Sequence, residues 1–212
     1  MNRIFYAKSQ EQISGSKYEQ YLNLIPENMK ARVTRYIHWQ DCQISLFSRL
    51  LLIEGIRSFG MNENILRELQ FEKYRRPFLN NKIDFNISHS NEWAVCVISD
   101  SCRVGIDIEQ IKQVPLDDFK DSLTTDEMKA LHLSGDKYRF FYHIWSKKEA
   151  ASKADGKGLI QPFNEIKLKD DTASFDGKVW HITPLEIDSN YASYVATDTT
   201  NIGSWEIKQI HF

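Results

Sequence analysis

The stretch RVGIDIEQI, residues 103–111, most constrains the fold, because its apolar and polar side chains alternate as in a half-buried strand. One face of that strand carries three β-branched residues: Val104, Ile106 and Ile108. Gly105, Asp107 and Glu109 fall on the other face. Two neighbouring carboxylates lie there either because the face is solvated or because a cation binds between them.

The composition is that of an ordinary globular chain of 212 residues, 42% apolar and 26% charged. The net charge of -2 gives no electrostatic reason to expect a nucleic-acid or membrane partner. We find no signal-peptide core and no run long enough to span a bilayer. The cysteines Cys42, Cys96 and Cys102 are odd in number and form no C-x-x-C pair, so we expect a reduced, cytoplasmic protein without disulfides or structural zinc.

Both parts of the chain follow the order strand, helices, strands. In the first part, the patterns predict a strand at residues 3–7 and helices over 26–37 and 41–60, the latter ending at Gly60. Strands are then predicted over residues 69–74, 83–88 and 93–99, with a hairpin turn at residues 90–92.

The second part repeats this order. A strand at residues 104–109 precedes a capping box from Thr124 to Glu127 and a long helix over 136–155. Further strands are predicted over residues 165–170, 179–184, 191–198 and 204–212. We therefore expect an α+β, pseudo-duplicated fold of two halves, 1–102 and 103–212, each an antiparallel sheet packed against helices.

The long helix carries an unusual stripe of side chains spaced four residues apart: Phe141, Trp145, Glu149 and Lys153. Its first two members are expected to face the core, which places Glu149 and Lys153 at the edge of the core. The alternative is an ordinary surface ion pair, which contributes roughly 0.2–0.5 kcal/mol. Small residues on the neighbouring surface predict a helix that lines a ligand cleft: Ala150, Ala151 and Ala154.

A metal site becomes the stronger interpretation when the strand and the helix are considered together. Asp107, Glu109 and Glu149 would repel one another if they met without a cation. Mg²⁺ takes oxygen ligands and usually completes its shell with water and substrate phosphate oxygens. Whether Glu149 meets the strand is decided by the tertiary structure.

Four segments occur in order along the chain: RRPFL (75–79), FNISHS (85–90), GIDIE (105–109) and WSKKEAASKADGKGL (145–159). Together they resemble the signature of the 4'-phosphopantetheinyl transferases, over nearly the whole chain. The resemblance is to the monomeric, surfactin-synthetase-activating type rather than to the short trimeric holo-acyl-carrier-protein synthase type. It implies a monomer with its active site between the two halves.

The resemblance also implies an activity, namely transfer of the 4'-phosphopantetheine arm of coenzyme A to a serine hydroxyl of an apo acyl or peptidyl carrier protein. Adenosine 3',5'-bisphosphate is the second product. Asp107, Glu109 and Glu149 match the family's metal-binding acids, which hold Mg²⁺ against the diphosphate. Glu149 also matches the proposed general base, and Lys153 matches the lysine that balances charge on the diphosphate and the leaving group.

By the same resemblance, six side chains bind coenzyme A: Arg32, Ser45, Arg76, Ser88, His89 and Lys153. Ser45 matches a hydroxyl residue near the 3'-phosphate, and Arg76 matches a basic residue before a proline. Considered without the motifs, His89 is an ordinary turn residue, Ser88 bonds the turn backbone and Arg76 is a surface charge. We expect Trp145 to be structural, packing the helix against the core.

The chain departs from the family's pattern in residues 112–131, where a double-phenylalanine element is often present, and this leaves the choice of carrier protein open. Residues 75 and 76 are arginines, whereas lysine is frequent at these positions in the family. A phosphate would therefore contact a planar guanidinium group instead of a compact ammonium group. Two other hypotheses compete with a Mg²⁺-dependent transferase. One is a catalytically silent module that binds coenzyme A or carrier protein, and the other is a metal-dependent nucleotide hydrolase of unrelated fold.

Overall fold

The computed structural model describes residues 1–79, 83–201 and 203–212. The α-helices in these ranges are α1 (Gly15–Leu22), α2 (Glu27–Val33), α3 (Trp39–Ser58), α4 (Thr125–Leu133) and α5 (Lys137–Asp155). The strands of the first part are β1 (Asn2–Lys8), β2 (Gln70–Phe71), β3 (Pro77–Phe78), β4 (Asp84–Ser90) and β5 (Trp93–Ser99). Those of the second part are β6 (Val104–Gln110), β7 (Lys167–Lys169), β8 (Thr172–Phe175), β9 (Lys178–Pro184), β10 (Tyr191–Thr197) and β11 (Trp205–Gln209). The predicted α+β class is confirmed.

The helices of the second half begin and end where the capping signals indicated. At the start of α5, the Asp136 side chain accepts a hydrogen bond from the Arg139 backbone N–H, and Gly156 ends the helix with a φ of 94°. Thr124 and Glu127 form the predicted capping box of α4. These boundaries follow local hydrogen bonding, which is why a single sequence predicts them.

Predictions fail where the local pattern is weak. The sequence pattern does not indicate α1, which lies in a largely polar segment, or the short strand β8. The strand predicted over residues 69–74 shortens to β2, because the chain turns directly after it. In that turn, the Arg75 backbone N–H donates to the Glu72 carbonyl.

Two sheets form the two halves, and the last strand crosses back to the first. The first sheet has the order β11-β1-β5-β4, and the second has the order β6-β10-β9-β8-β7. Strand pairs in the described residues run antiparallel except β1 and β11, which run parallel with Ile4 opposite Ile207. The predicted boundary between residues 102 and 103 therefore separates the strands of the two sheets with one exception. Strand β11 belongs to the second half of the sequence but pairs in the first sheet.

Helices cover one face of each sheet, and the opposite faces pack on each other. The core between α3 and the first sheet includes Leu50, Ile53 and Ile98. The core between α5 and the second sheet includes Phe141 and Trp180. A third buried cluster joins the sheets: Ile4, Val95, Val97, Val104, Ile106, Ile108 and Val195. The apolar face of β6 is therefore buried against the first half.

Strand β4 closes the open edge of β6 with its side chains. Both strands lie at the edges of their own sheets. Three backbone N–H groups of β6 donate to side-chain oxygens of β4: Val104 to Asp84 (2.8 Å), Ile106 to Asn86 (3.1 Å) and Gln110 to Ser90 (3.1 Å). The polar face of β4 thus bonds to the other half of the chain instead of to solvent.

Gly105 is the point at which the backbone of α5 contacts β6. A Cβ atom at this position would lie 2.2 Å from the Ala150 carbonyl oxygen and 2.4 Å from the Ala154 backbone nitrogen. The expectation that Ala150, Ala151 and Ala154 line a ligand cleft is therefore wrong. These fully buried alanines allow close packing of helix on strand, and Gly105 is required for the same reason.

Replacing Gly105 with alanine is expected to destabilise the protein by about 3 kcal/mol, the upper end for overpacking, because the clashing atoms belong to backbone. Urea-induced unfolding measures this change. Gly135→Ala is the matched control, since a Cβ there meets nothing within 4 Å. A Gly105→Ala protein as stable as the Gly135→Ala protein would contradict the close packing of α5 on β6.

Candidate active site

Charged side chains from two elements and a serine from a third meet where the two sheets join. β6 carries Asp107 and Glu109, and α5 carries Glu149 and Lys153 one turn apart. Ser88 reaches the same place from β4. We call these five residues the acid cluster. It brings together all three predicted metal-binding acids and the predicted catalytic lysine, across the junction of the two halves.

Asp107 lies at the centre of the acid cluster. Its Oδ1 atom accepts hydrogen bonds from Lys153 Nζ at 2.6 Å and from Ser88 Oγ at 3.0 Å. Lys153 Nζ also donates to Ser88 Oγ at 2.9 Å, which closes a triangle of polar atoms. The outer carboxylate, Glu109, accepts a hydrogen bond from Ser90 Oγ at 3.0 Å. Side chains of β4 therefore hold both acids of β6.

Burial and mutual repulsion shift the proton affinities of the acid cluster. Burial and the neighbouring Asp107 carboxylate raise the pKa of Glu109 to about 7. Burial also raises the pKa of Glu149 to about 7; Lys153 opposes this shift and Asp107 adds to it. Burial by itself lowers the pKa of Lys153, but the Asp107 and Glu149 carboxylates outweigh it and raise that pKa above its usual value. Glu149 therefore lies within electrostatic reach of the strand.

The donor chemistry of the acid cluster fits a hard divalent cation, although the side chains are not preassembled around one. The Asp107 Oδ2 atom is buried and has no hydrogen-bond partner in the part of the chain that the structure describes. In the same ranges, no group of three or more His, Cys, Asp or Glu side chains is arranged to hold a metal ion. Lys153 supplies the positive charge beside Asp107. The Mg²⁺ site at Asp107, Glu109 and Glu149 stays a prediction.

A second group of predicted residues lies in the first half, near a cavity of about 200 Å³ between α2, α3 and β4. Arg32 lines this cavity, and its guanidinium lies 5.1 Å from the centre of the Phe71 ring. Ser45 is fully buried on α3. A larger cleft of about 640 Å³ beside Arg139 and Tyr194 contains none of the predicted site residues.

Arg49 is a candidate anion-binding residue that the sequence analysis missed. It lines the same cavity as Arg32, and its Nη1 atom donates to the Ser45 carbonyl at 2.6 Å and to Ser45 Oγ at 2.8 Å. Burial lowers the pKa of Arg49 to about 10, and no acidic side chain of the described residues forms an ion pair with it. The available signal was a single cation inside the apolar run LFSRLLL of α3.

His89 is held neutral by its surroundings. Burial lowers its pKa to about 4, and the positive charges of Arg49 and Lys153 act in the same direction. The imidazole thus lies within electrostatic reach of both Arg49 on α3 and Lys153 in the acid cluster. A negatively charged ligand that bound here would oppose both effects and favour protonated His89.

Arg76 lies elsewhere, in contacts that join the two halves. Its guanidinium donates to both Asp84 carboxylate oxygens, at 2.8 and 2.6 Å. It also donates to the Lys153 carbonyl at 3.0 Å and to the Val104 carbonyl at 2.9 Å. Only 3% of the Arg76 side chain is exposed, so it is not the surface charge of the alternative interpretation. Its predicted contact with coenzyme A stays a prediction.

Other residues of the WSKKEAASK segment are structural. The Trp145 ring lies 4.9 Å from the Phe163 ring and 5.4 Å from the Phe119 ring, which confirms the predicted packing role. Lys148 is buried, and its Nζ atom donates to Glu127 Oε2 at 2.6 Å. It therefore ties the capping box of α4 to α5.

Comparison with known proteins matches both parts of the chain to one family. The model of the 4'-phosphopantetheinyl transferase superfamily matches residues 103–199, and that of the 4'-phosphopantetheinyl transferase N-terminal region matches residues 12–101. The chain is 30% identical over 191 residues to the 4'-phosphopantetheinyl transferase Sfp of Bacillus subtilis, which covers 87% of this chain and 81% of that protein.

Two further matches are more partial. The chain is 36% identical over 148 residues to the 4'-phosphopantetheinyl transferase gsp of Aneurinibacillus migulanus, which covers 68% of this chain and 61% of that protein. The crystal structure of the holo-[acyl-carrier-protein] synthase of Thermotoga maritima matches with 20% identity and a TM-score of 0.36. The match covers 45% of this chain and 62% of the synthase chain.

His89→Gln is expected to reduce the acid sensitivity of the fold. Burial lowers the pKa of His89 in the folded protein to about 4, whereas its usual value is 6.5. Between pH 6.5 and pH 4, His89 is therefore protonated in the unfolded chain but not in the folded protein. The stability that His89 contributes is complete above pH 6.5 and is lost as the pH falls through this window, by about 3 kcal/mol. Urea unfolding at pH 7.5 and at pH 4.5 compares the two proteins. An equal loss of stability in both would contradict a buried neutral His89.

Proposed function

The chain belongs to the 4'-phosphopantetheinyl transferase superfamily, and we propose that it transfers the 4'-phosphopantetheine arm of coenzyme A to a serine of an apo carrier protein through the acid cluster. The observation that supports this site most is the contact of Lys153 with Asp107 and Ser88, beside Glu109 and Glu149. Two acids with raised pKa values and a lysine lie together at the junction of the halves. Perturbed proton affinities of this kind are typical of catalytic sites.

Glu149 is the proposed general base. Without a bound cation, burial raises the pKa of Glu149 to about 7, which leaves the carboxyl group basic enough to accept a proton near neutral pH. It takes the proton of the carrier serine, whose oxygen then forms the new bond to the β-phosphorus of coenzyme A. The bond between that phosphorus and the bridging oxygen breaks, and adenosine 3',5'-bisphosphate leaves.

Lys153 balances charge in this step. Phosphoryl transfer leaves little covalent chemistry to the protein, so positioning and charge neutralisation account for most of the rate. The Nζ atom of Lys153 is fixed by Asp107 and Ser88 and lies on the side of the acid cluster where the diphosphate is proposed to bind. The raised pKa of Lys153 keeps it cationic at neutral pH.

Asp107, Glu109 and Glu149 are proposed to hold Mg²⁺. The buried Asp107 Oδ2 atom has no partner among the described residues, and burial together with repulsion from Asp107 raises the pKa values of both glutamates, so a cation bound here would stabilise their charged forms. The chemistry that Mg²⁺ supplies when bound is neutralisation and orientation of the diphosphate oxygens.

Coenzyme A is proposed to extend from the acid cluster into the first half. Its 3'-phosphate requires cations, and Arg32 and Arg49 line the same cavity there. Ser45 bonds to Arg49 and orients it, while His89 lies within electrostatic reach of both Arg49 and Lys153. Ser88, in contrast, contacts Asp107 directly, so its proposed role is to hold the acid cluster beside the diphosphate.

The carrier protein of a fatty-acid, polyketide or peptide pathway is the proposed second substrate, and the chain is proposed to act as a monomer. In the described residues no helix is long and apolar enough to cross a membrane. Cys42, Cys96 and Cys102 are free thiols, which supports the proposal of a reduced cytoplasmic environment.

The proposed activity is tested by incubating the chain with coenzyme A, Mg²⁺ and several apo carrier proteins of the fatty-acid and peptide-synthetase types. Intact-mass spectrometry is expected to show the phosphopantetheine increment on a carrier. Chelation with EDTA should abolish the increment, and added Mg²⁺ should restore it. If no carrier gains the increment although calorimetry shows coenzyme A binding, the catalytically silent binding module is favoured instead.

Glu149→Gln is expected to lower the turnover number by at least about 100-fold, because the amide cannot accept the serine proton. Coenzyme A binding, measured by calorimetry, should persist. The neighbouring Lys147→Gln is the control, since that lysine contacts the Tyr194 ring and lies outside the acid cluster. Retained turnover in Glu149→Gln would show that another group is the base.

A further inference from the structure

Arginines from both halves of the chain bind the C-terminal end of α5. The last carbonyl groups of an α-helix have no partner within the helix. In α5, Arg76 Nε donates to the Lys153 carbonyl at 3.0 Å, Arg103 Nε to the Ala154 carbonyl at 2.5 Å and Arg103 Nη2 to the Asp155 carbonyl at 3.0 Å. Positive charge at this end also interacts favourably with the helix dipole.

Each arginine is fixed in turn by a carboxylate of the first half. Arg76 forms a two-pronged pair with Asp84, and Arg103 forms one with Glu72 at 2.8 Å for both contacts. Asp84 also accepts the Val104 backbone N–H, and Arg76 donates to the Val104 carbonyl. One ion pair therefore contacts both backbone polar groups of the first residue of β6.

We propose that Arg76, together with Asp84, is a positioning residue that sets α5 against β6 and thereby places Lys153 and Glu149 beside Asp107. This inference rests on the proposed function. Arg76 contacts the helix that carries Lys153 through the carbonyl of Lys153 itself. It contacts the strand that carries Asp107 three residues before that acid.

The same contacts argue against a direct role of Arg76 in binding coenzyme A. Nε, Nη1 and Nη2 of its guanidinium all donate to protein acceptors, and the side chain is almost completely buried. A phosphate at this position would compete with Asp84 and would break the contact with the end of α5. A buried guanidinium that already has a carboxylate partner is a poor site for a second anion.

The experiment compares Arg76→Lys, Asp84→Asn and their double variant, with Arg67→Gln as the control for loss of an exposed arginine. Lysine keeps the charge but cannot reach Asp84, Lys153 and Val104 at once. Both single variants are expected to lower kcat about tenfold, because a small displacement of catalytic groups is costly, while KM for coenzyme A stays within about threefold. Calorimetry should show the same small change in Kd for coenzyme A. The double variant should be no worse than the poorer single variant, since both changes break one contact.

Hydrogen exchange supplies a readout that is independent of activity. Amides of residues 152–157 should exchange faster in both single variants than in the unmodified protein, and amides at the start of α5 should not. Thermal unfolding identifies any variant that fails to fold. If one single variant fails, the kinetics and exchange rates of the other single variant test the positioning role.

Two results would overturn the positioning role. One is an Arg76→Lys protein whose KM and Kd for coenzyme A rise about tenfold at unchanged kcat, while Asp84→Asn behaves as the unmodified protein, because this pattern marks a direct ligand contact. The other is unchanged exchange at the end of α5 in both variants. If the unmodified chain transfers nothing to any carrier, the proposed function has failed, and the exchange rates alone decide whether the Arg76–Asp84 pair holds α5.

Discussion

The rest of the structure depends on the way in which β4 closes the open edge of β6. An edge strand leaves backbone N–H groups without partners, and burying them unpaired costs about 1–3 kcal/mol each. Asp84, Asn86 and Ser90 accept three of these hydrogen bonds, and they do so in one register. The alternating polar residues of β4 therefore join two sheets that no continuous strand ladder connects. Because the spacing of side chains on β4 matches the spacing of N–H groups on β6, a shift by one residue would break all three bonds.

The same register assembles the acid cluster. Ser88 lies between Asn86 and Ser90 on the polar face of β4, so the contacts that dock the strands also place Ser88 against Asp107. Gly105 lies on the same face of β6 as Asp107, and it lets the backbone of α5 approach this face. The close approach brings Glu149 and Lys153 of α5 near Asp107. The result is a largely buried set of acids with one lysine, in which burial raises the pKa values of both glutamates and the Asp107 carboxylate adds to the shift. An arrangement of this kind costs stability, and the proposed binding of a cation would offset that cost.

Elements with strong local signals were predictable, and elements without them were not. The capping box of α4, the Asp136 start and Gly156 end of α5, and the alternation of β6 all follow from interactions within a few residues. The missed helix α1 buries Leu22 alone among its described residues, and the missed strand β8 is four residues long, so neither carries an extended apolar pattern. The position of β11 beside β1 was not predictable, because the pairing partners lie at opposite ends of the chain. Arg49 escaped notice because one cation in an apolar helix has no spacing to reveal it.

By itself, the sequence determined the α+β class, the family, and the residue types that the chemistry requires, because these are carried by local periodicity and by short motifs. It also placed Asp107 and Glu109 on one strand face and put Glu149 and Lys153 on one helix stripe. Only the tertiary structure decided that these two elements meet, that Gly105 serves the packing of α5 on β6, and that Arg76 bonds to Asp84 and the end of α5. The physical reason is that such contacts join residues far apart in the chain, and they form only when the two sheets dock through the polar side chains of β4.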